Sequence, residues 1–375
     1  MIPIAKPYLG EEEAQAAYDT ILTGWVTQGP KVQEFEEQFA KYTGAKYAVA
    51  VSSCTTALHL AMIVAGIGEG DEVICPSMSY IATANSIKYA GAIPVFAEVN
   101  ADYNLDIGDV EKRITKKTKA ILLVHQMGMA ADIHAFQALC DHYSIKLIED
   151  AACAAGSSYK GQKIGAHSEL VCFSFHPRKV ITTGDGGMIT TSNEAFYNRL
   201  KILRQHGMSI NDRERHLSSK VLFEEYSEIG YNYRMTDIQA AIGIKQLEKL
   251  DWLIEERRKI AYQYLAAFKD IMAFRLPIEK QGYFTNYQSF SIYLKPSCAV
   301  SRNELMQKLL DRGISTRRGI MLAHKEQAYT ALNYHSQLPV SENMNENSII
   351  IPLYVPMKQE DVINVIRTIL DLTGV

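Results

Sequence analysis

Residues 120–156, with the sequence AILLVHQMGMAADIHAFQALCDHYSIKLIEDAACAAG, decide the fold class. Two short runs rich in apolar residues, 120–124 and 146–149, lie on either side of a longer segment. Strands that are apolar on both sides are typical of a parallel sheet covered on both faces. Parallel strands need a long connection between them, which is usually a helix. This stretch therefore predicts a strand–helix–strand unit of an α/β fold.

The same alternation of short β-type runs and longer helical patterns extends from about residue 45 to about residue 195. It predicts a large domain built on a mainly parallel, seven-stranded sheet. In such sheets ligands bind beyond the carboxyl ends of the strands, so we look for functional residues there. The other five predicted strands are residues 47–51, 72–75, 94–96, 170–173 and 188–191.

A different pattern begins after about residue 235 and predicts a smaller α+β domain. The chain of 375 residues is long enough for two or three domains of about 150 residues each. We therefore predict an N-terminal arm and large domain over residues 1–245 and a smaller C-terminal domain over residues 246–375. The elements of the later region are a long helical pattern at 236–264, a strand at 288–294, and helices at 301–312 and 360–372.

The composition is that of a globular protein, with 47% apolar and 22% charged residues. A net charge of −3 provides no broad basic field for a nucleic-acid backbone. No run approaches the roughly 20 apolar residues that span a bilayer, and the first residues lack the pattern of a signal peptide. The six cysteines form no C-x-x-C pair and predict reduced thiols without a metal site. We expect a cytoplasmic protein that binds neither nucleic acid nor membrane.

The segment FSFHPRKVITTGDGG, residues 173–187, places Lys179 between two predicted strands and before a glycine-rich loop. A lysine amine attacks a carbonyl group when it is neutral, and burial favours the neutral amine by lowering its pKa. Glycines allow the backbone to approach a ligand closely. A tight surface turn with a solvated lysine would have the same pattern, so this segment alone leaves both interpretations open.

Asp150 directly follows the predicted strand 146–149, and small residues follow it. A carboxylate in this position can keep the ring nitrogen of a pyridine cofactor protonated. An aspartate that caps the next helix would have the same pattern. The hydroxyl-rich residues 52–56, between a strand and a helix, can bind a phosphate through a helix N-terminus, or can serve only as a helix cap.

The segment IGYNYRMTD, residues 229–237, precedes the long helical pattern. Arg234 can hold a phosphate or a carboxylate through paired hydrogen bonds. Packing of Tyr231 and Tyr233 around a turn at Asn232 is the alternative interpretation.

Taken together and in this order, the four segments resemble the DegT–DnrJ–StrS family of sugar aminotransferases, which have the type I (aspartate-aminotransferase) fold and use pyridoxal 5′-phosphate (PLP). The resemblance covers nearly the whole chain. The remaining matching stretches are residues 24–32 with Phe35 and Glu36, residues 70–74, residues 76–80, and His125.

The resemblance implies a role for each matching residue. Lys179 would bond covalently to PLP as a Schiff base and move protons during catalysis. Asp150 would pair with the pyridine nitrogen. Ser174, together with the backbone amides of Cys54 and Thr55, would hold the cofactor phosphate.

Four further positions follow from the same resemblance. Tyr80 would stack on the cofactor ring. Asn232 would reach the phosphate in a neighbouring subunit, which implies a homodimer with shared active sites. Cys153 stands where the family usually has Gln or His, and this difference puts in doubt the usual hydrogen bond to the cofactor's 3′-hydroxyl. His324 would lie near the substrate.

The substrate is expected to contact Arg234, Tyr231 and Arg318 in addition to His324. The resemblance implies transfer of an amino group from L-glutamate or L-glutamine, through pyridoxamine phosphate (PMP), to a nucleotide-linked keto-deoxysugar in amino-sugar and surface-polysaccharide biosynthesis. The stretch WVTQGP, residues 25–30, favours C4 of a 4-keto-6-deoxysugar.

Alternatives are amination at C3 of a 3-keto sugar and a PLP-binding regulatory protein without turnover. A nucleotide-binding dehydrogenase is disfavoured because no G-x-G-x-x-G run opens a helix after a strand.

Overall fold

A computed structural model of the chain describes residues 1–210, 215, 218–332 and 336–374. The strands are β1 (Tyr47–Val51), β2 (Glu72–Pro76), β3 (Ile93–Ala97), β4 (Thr118–Val124), β5 (Lys146–Asp150), β6 (Ser158–Tyr159), β7 (Gln162–Lys163), β8 (Leu170–Ser174), β9 (Gly187–Thr191), β10 (Phe274–Arg275), β11 (Tyr283–Phe284), β12 (Phe290–Leu294), β13 (Arg317–Arg318) and β14 (Ser348–Ile351).

The α-helices are α1 (Glu11–Leu22), α2 (Pro30–Thr43), α3 (Cys54–Val64), α4 (Ala82–Tyr89), α5 (Ile107–Arg113), α6 (Ile133–Tyr143), α7 (Glu194–Leu203), α8 (Asp237–Glu248), α9 (Leu250–Phe268), α10 (Arg302–Asp311), α11 (Gln327–Thr330), α12 (Pro339–Asn347) and α13 (Gln359–Thr373). Among the helices that the structure describes, none has both the length and the apolar character that a membrane span requires.

The large sheet has the strand order β1-β9-β8-β5-β4-β2-β3, which confirms the predicted seven-stranded, mainly parallel sheet. Strands β3, β2, β4, β5 and β8 run parallel to one another, whereas β9 is antiparallel to both β8 and β1. The reversal at β9 arises because a loop, rather than a crossover helix, joins it to β8. The start of β9 consequently lies at the same edge of the sheet as the ends of β1, β5 and β8.

Both faces of this sheet are covered, as the apolar strands predicted. Consecutive residues of β4 point to opposite faces, so Leu122 belongs to one buried cluster and Leu123 to the other. Helices α3, α4 and α7 cover the first face, and helices α2, α6 and α8 cover the second.

A second sheet has the order β10-β12-β14-β13 and is antiparallel throughout. Its core includes Phe290 and Ile349 from the strands and Tyr264, Leu305 and Val365 from helices α9, α10 and α13. A third, small sheet, β11-β6-β7, joins this later part of the chain to the segment after β5.

The long helical pattern predicted over residues 236–264 is two helices, and this prediction was wrong. The pattern breaks at Lys249, whose ammonium group pairs with Glu12 and Glu13 of α1. Helix α8 packs on α1 and α2, whereas α9 continues into the second sheet's core. The first turns of α9, with Leu250, Leu253 and Ile254, still pack in the large sheet's core, so α9 spans both cores, which the continuous periodicity does not show. The domain boundary after residue 245 falls inside α8 and stays a prediction.

Candidate active site

A cavity of about 560 Å³ opens at the carboxyl edge of the large sheet. This volume is typical of a site for a small organic molecule. Seven of the eight predicted cofactor residues line it: Cys54, Thr55, Tyr80, Asp150, Cys153, Ser174 and Lys179.

Asp150 is the last residue of β5, and only 4% of it is exposed. Its Oδ1 atom accepts a hydrogen bond from the Ala152 amide at 3.1 Å, and its Oδ2 atom accepts one from the Thr83 hydroxyl at 2.9 Å. Turns and the short strand β6 follow, so Asp150 does not cap a helix as the alternative interpretation supposed. Burial raises the pKa of Asp150, and these hydrogen bonds and Lys179 offset only part of the rise. A buried carboxylate of this kind is stabilised by a cationic partner.

Lys179 lies half-buried in the loop between β8 and β9, and its Nζ atom donates a hydrogen bond to Cys153 Sγ at 3.2 Å. It is therefore not the solvated lysine of a surface turn. Burial lowers the pKa of Lys179. The nearby Cys153, Cys54 and Asp150 raise this pKa by more than burial lowers it, so the net shift is upward. The lowered pKa that we expected from burial alone was wrong because the neighbouring acidic groups outweigh desolvation.

The N-terminus of α3 supplies the cavity with backbone amides at Cys54 and Thr55. The Ser53 side chain accepts a hydrogen bond from the Thr56 amide at 3.2 Å, so the predicted capping role is real at this position. Capping and anion binding are compatible here, because the first amides of a helix have no partners within the helix. Ser174, at the end of β8, lines the same cavity.

Gly187, at the start of β9, lies close to the backbone of another element. A Cβ atom on this residue would lie 2.4 Å from the backbone carbonyl of Ser53 and 2.7 Å from the amide nitrogen of Cys54. The glycine therefore lets β9 pass against the turn that begins α3. The predicted close approach of the glycine-rich loop to a ligand stays a prediction.

The lining residues together meet the needs of PLP. The cofactor requires an amine for its aldehyde, an acidic partner for its ring nitrogen and N–H donors for its phosphate. Lys179, Asp150 and the start of α3 provide these three groups in one cavity. The Tyr80 side chain is 71% exposed and lines the same cavity, where it offers an aromatic face.

Asn232, Tyr231 and Arg234 do not line this cavity. Asn232 is exposed and pairs through its backbone with Gln205. Tyr231 stacks on Tyr233 with ring centroids 4.9 Å apart, which is the aromatic packing of the alternative interpretation. The contact of Asn232 with a neighbouring subunit stays a prediction.

His324 is also outside the cavity lining, and its predicted substrate contact stays a prediction. Only 3% of it is exposed, and its two ring nitrogens bond to Ser77 Oγ at 2.5 Å and to Glu342 Oε1 at 3.1 Å. Burial lowers the pKa of His324, with Glu342 opposing the shift. The residue ties the end of β2 to the later part of the chain.

Arg317, rather than the predicted Arg318, lines the cavity. Successive residues of a strand point to opposite faces, which separates the side chains of these two neighbours. The predicted substrate contact of Arg318 stays a prediction. Arg318 is directed instead toward Glu326, at 3.7 Å.

The lining residues that the sequence interpretation missed include Thr83 and Arg178. Arg178 adjoins Lys179 in the sequence, and this was the available signal for it. Thr83 had no such signal, because α4 brings it to the cavity through packing.

The buried pair His125 and Glu149 supports the floor of the site. His125 Nδ1 accepts a hydrogen bond from the Ala131 amide at 3.1 Å, so the other ring nitrogen carries the proton and donates to Glu149 Oε2 at 2.7 Å. The backbone amide of His125 donates to the Asp150 carbonyl at 3.1 Å. This pair thus fixes the ends of β4 and β5 against each other.

Comparison with known proteins identifies the family. The model of the DegT/DnrJ/EryC1/StrS aminotransferase family matches residues 7–370. Spr1654 of Streptococcus pneumoniae, described as a sugar aminotransferase and solved in PMP and PLP forms, is similar over 100% of this chain and 99% of its own in the PMP form, with 29% identity and a TM-score of 0.94.

Two further solved structures are similar over the whole chain. The aminotransferase TlmJ of Streptoalloteichus hindustanus has 31% identity and a TM-score of 0.91, with 100% of both chains covered. Helicobacter pylori PseC, an aminotransferase of pseudoaminic acid biosynthesis, has 28% identity and a TM-score of 0.92, with 100% of this chain and 99% of that chain covered. The chain therefore belongs to the DegT/DnrJ/EryC1/StrS aminotransferase family and is a PLP-dependent sugar aminotransferase of the type I fold.

Proposed function

We propose that this enzyme transfers an amino group from L-glutamate, or from L-glutamine, to the keto carbon of a nucleotide-linked keto-deoxysugar. The acceptor carbon is C4 of a 4-keto-6-deoxysugar, and the product serves amino-sugar and surface-polysaccharide biosynthesis. The observation that carries the proposal is the convergence of Lys179, Asp150 and the start of α3 on one cavity.

Lys179 and Asp150 divide the chemistry between them. Asp150 would keep the ring nitrogen protonated through its buried carboxylate, and Lys179 would hold the cofactor covalently through Nζ. When bound, PLP would supply an electron sink that stabilises negative charge on the α-carbon of the donor. The Nζ atom of Lys179, as a neutral amine, would remove the α-proton as a general base.

The charges around Lys179 favour this base function once Asp150 is engaged. Asp150 is one of the groups that raise the pKa of Lys179. A cation bound to Asp150 would neutralise the carboxylate charge, so Asp150 would raise the pKa of Lys179 less. Burial would then lower the pKa of Lys179 against weaker opposition.

The cavity mouth suits an anionic nucleotide. Arg178 and Arg317 both line it, whereas the neighbouring Arg318 pairs with Glu326 at 3.7 Å. Burial and the charge of Arg178 lower the pKa of Arg317, as expected for two guanidinium groups near each other without a shared anion. A diphosphate supplies paired acceptors for such groups.

A homodimer completes the proposal. Asn232 is exposed outside the cavity of its own chain. The preceding segment exposes Val221, Phe223 and Ile229 by 81%, 84% and 89%, which is typical of a surface that another protein covers. A second copy covering this segment would bring Asn232 toward the neighbouring phosphate site. All six cysteines are free, in keeping with the expected cytoplasmic location.

A substrate screen tests the proposal. The PLP-loaded enzyme is incubated with L-glutamate and with UDP-, dTDP- or GDP-linked 4-keto and 3-keto sugars, and 2-oxoglutarate release is followed. We expect release that depends on a 4-keto-6-deoxysugar, with the new amine at C4 by NMR. Amination of a 3-keto sugar alone would contradict the C4 assignment. Visible cofactor absorption that persists with L-glutamate would favour the regulatory alternative.

A further inference from the structure

A short chain of buried hydroxyl groups ends at Asp150. The Oγ atom of Ser79 lies 2.7 Å from Oγ1 of Thr83, and Thr83 Oγ1 lies 2.9 Å from Asp150 Oδ2. The three residues are 3%, 2% and 4% exposed. Thr83 stands in the first turn of α4, and Ser79 lies four residues before it.

The direction of these hydrogen bonds follows from the number of protons. A carboxylate can only accept, so the single hydroxyl proton of Thr83 is donated to Asp150. Ser79 must then donate its own proton to Thr83. Both hydroxyl dipoles point toward the carboxylate, and hydrogen bonds in such a chain strengthen one another.

The charged and titratable groups that face Asp150 come from several elements. Lys179 of the β8–β9 loop favours its ionised form, the imidazole of His125 lies after β4, and the neutral thiols of Cys54 and Cys172 lie close by. Burial opposes ionisation most strongly. The Ala152 amide occupies one carboxylate oxygen and Thr83 the other, so Thr83 is the one side chain among the described residues that hydrogen-bonds this carboxylate.

We propose that Thr83, oriented by Ser79, is a positioning residue that keeps Asp150 ionised and aimed at the ring nitrogen of PLP. The inference rests on the proposed role of Asp150. It adds a residue that no sequence motif marked, and it explains why a hydroxyl side chain is placed in a fully buried position beside a carboxylate.

The test uses four variants with matched shapes. Thr83→Val keeps the volume and removes the hydroxyl, whereas Thr83→Ser keeps the hydroxyl and removes a methyl group. Ser79→Ala removes only the second hydroxyl. Ser86→Ala is the control, because the Ser86 hydroxyl lies on the same helix and donates to the Thr83 carbonyl at 2.9 Å rather than to Asp150.

The first measurement is the dissociation constant of PLP for each cofactor-free protein across a range of pH, followed by visible absorption. Loss of a hydrogen bond to a charged group should weaken binding by Thr83→Val about 10- to 100-fold. Removing the donor also favours protonation of Asp150, so affinity should begin to fall at a higher pH as the solution is acidified. Ser79→Ala should shift both quantities less, in the same direction.

Thr83→Ser should restore both the affinity and the pH profile, and Ser86→Ala should leave both unchanged. Equal impairment of Thr83→Ser and Thr83→Val would overturn the inference, because it would assign the effect to the methyl group. An unchanged pH profile in Thr83→Val would also overturn it. If Thr83→Val does not fold, Ser79→Ala decides, and an unshifted profile in that variant refutes the inference.

Asp150→Asn separates this inference from the proposed function. Wild-type PLP binding and nitrogen transfer in Asp150→Asn would overturn the role of Asp150 itself. An inactive Asp150→Asn together with an unaffected Thr83→Val would overturn only the role of Thr83.

Discussion

The Nζ atom of Lys179 donates a hydrogen bond to the Sγ atom of Cys153 at 3.2 Å. Cys153 occupies the position at which the family usually has Gln or His, so in this chain a thiol stands beside the amine that binds the cofactor. The contact also contributes to the raised pKa of Lys179. Cys153 therefore influences the amine, whatever contact it makes with the cofactor.

Replacing Cys153 by alanine should make Lys179 reactive at lower pH. The substitution removes a group that raises the pKa of Lys179, so a larger fraction of the amine is neutral at a given pH. The rate at which cofactor-free protein takes up PLP, measured against pH, should rise at a lower pH than in the parent protein. Cys298→Ala is the control, because Cys298 packs against the core of the second sheet, and it should leave the profile unchanged. An unshifted profile in Cys153→Ala would show that the contact has no effect on the amine.

Replacing Arg317 by alanine should weaken binding of the nucleotide sugar and leave the reaction with L-glutamate unchanged. Arg317 lines the cavity mouth, and loss of one hydrogen-bonded charge pair should raise the KM for the sugar by about 10- to 100-fold. The two half-reactions can be measured separately, by 2-oxoglutarate release and by consumption of the nucleotide sugar. Arg318→Ala is the matched comparison, and it should change both half-reactions less, because Arg318 does not line the cavity. Equal effects of the two substitutions would argue against a specific anion contact at Arg317.

Replacing Gly187 by alanine should destabilise the protein and weaken PLP binding. The added methyl group would lie 2.4 Å from the Ser53 carbonyl, so either β9 or the turn before α3 must move. Overpacking of this kind costs about 1–3 kcal/mol of unfolding free energy, and a displaced turn would misplace the amides of Cys54 and Thr55. Thermal unfolding and a PLP titration measure the two effects. Gly68→Ala, where a Cβ atom meets nothing within 4 Å, should show neither.

The sequence predicted the large sheet because each strand is a short apolar run that is buried on both faces, as at Leu122 and Leu123. It did not predict the break at Lys249, where the ammonium group pairs with Glu12 and Glu13, which are distant in the sequence. Local periodicity carries no information about which core each half of such a pattern joins.

The candidate site also contains residues that the sequence could predict and residues that it could not. Lys179 and Asp150 could be recognised because each lies at the end of an apolar run with a distinctive neighbourhood. Thr83 could not, because its contact with Asp150 depends on how α4 packs over the sheet. The sequence could not show that Arg317 rather than Arg318 lines the cavity, because β13 has only two residues and shows no alternation from which to read the direction of its side chains.

The central claim is that Lys179 alone forms the covalent bond to the cofactor. The most direct measurement is reduction of the PLP-loaded protein with borohydride, which fixes that bond, followed by mass mapping of its peptides. We expect the phosphopyridoxyl group on the peptide that contains Lys179 and on no other. The group on a different lysine, or on none, would contradict the account.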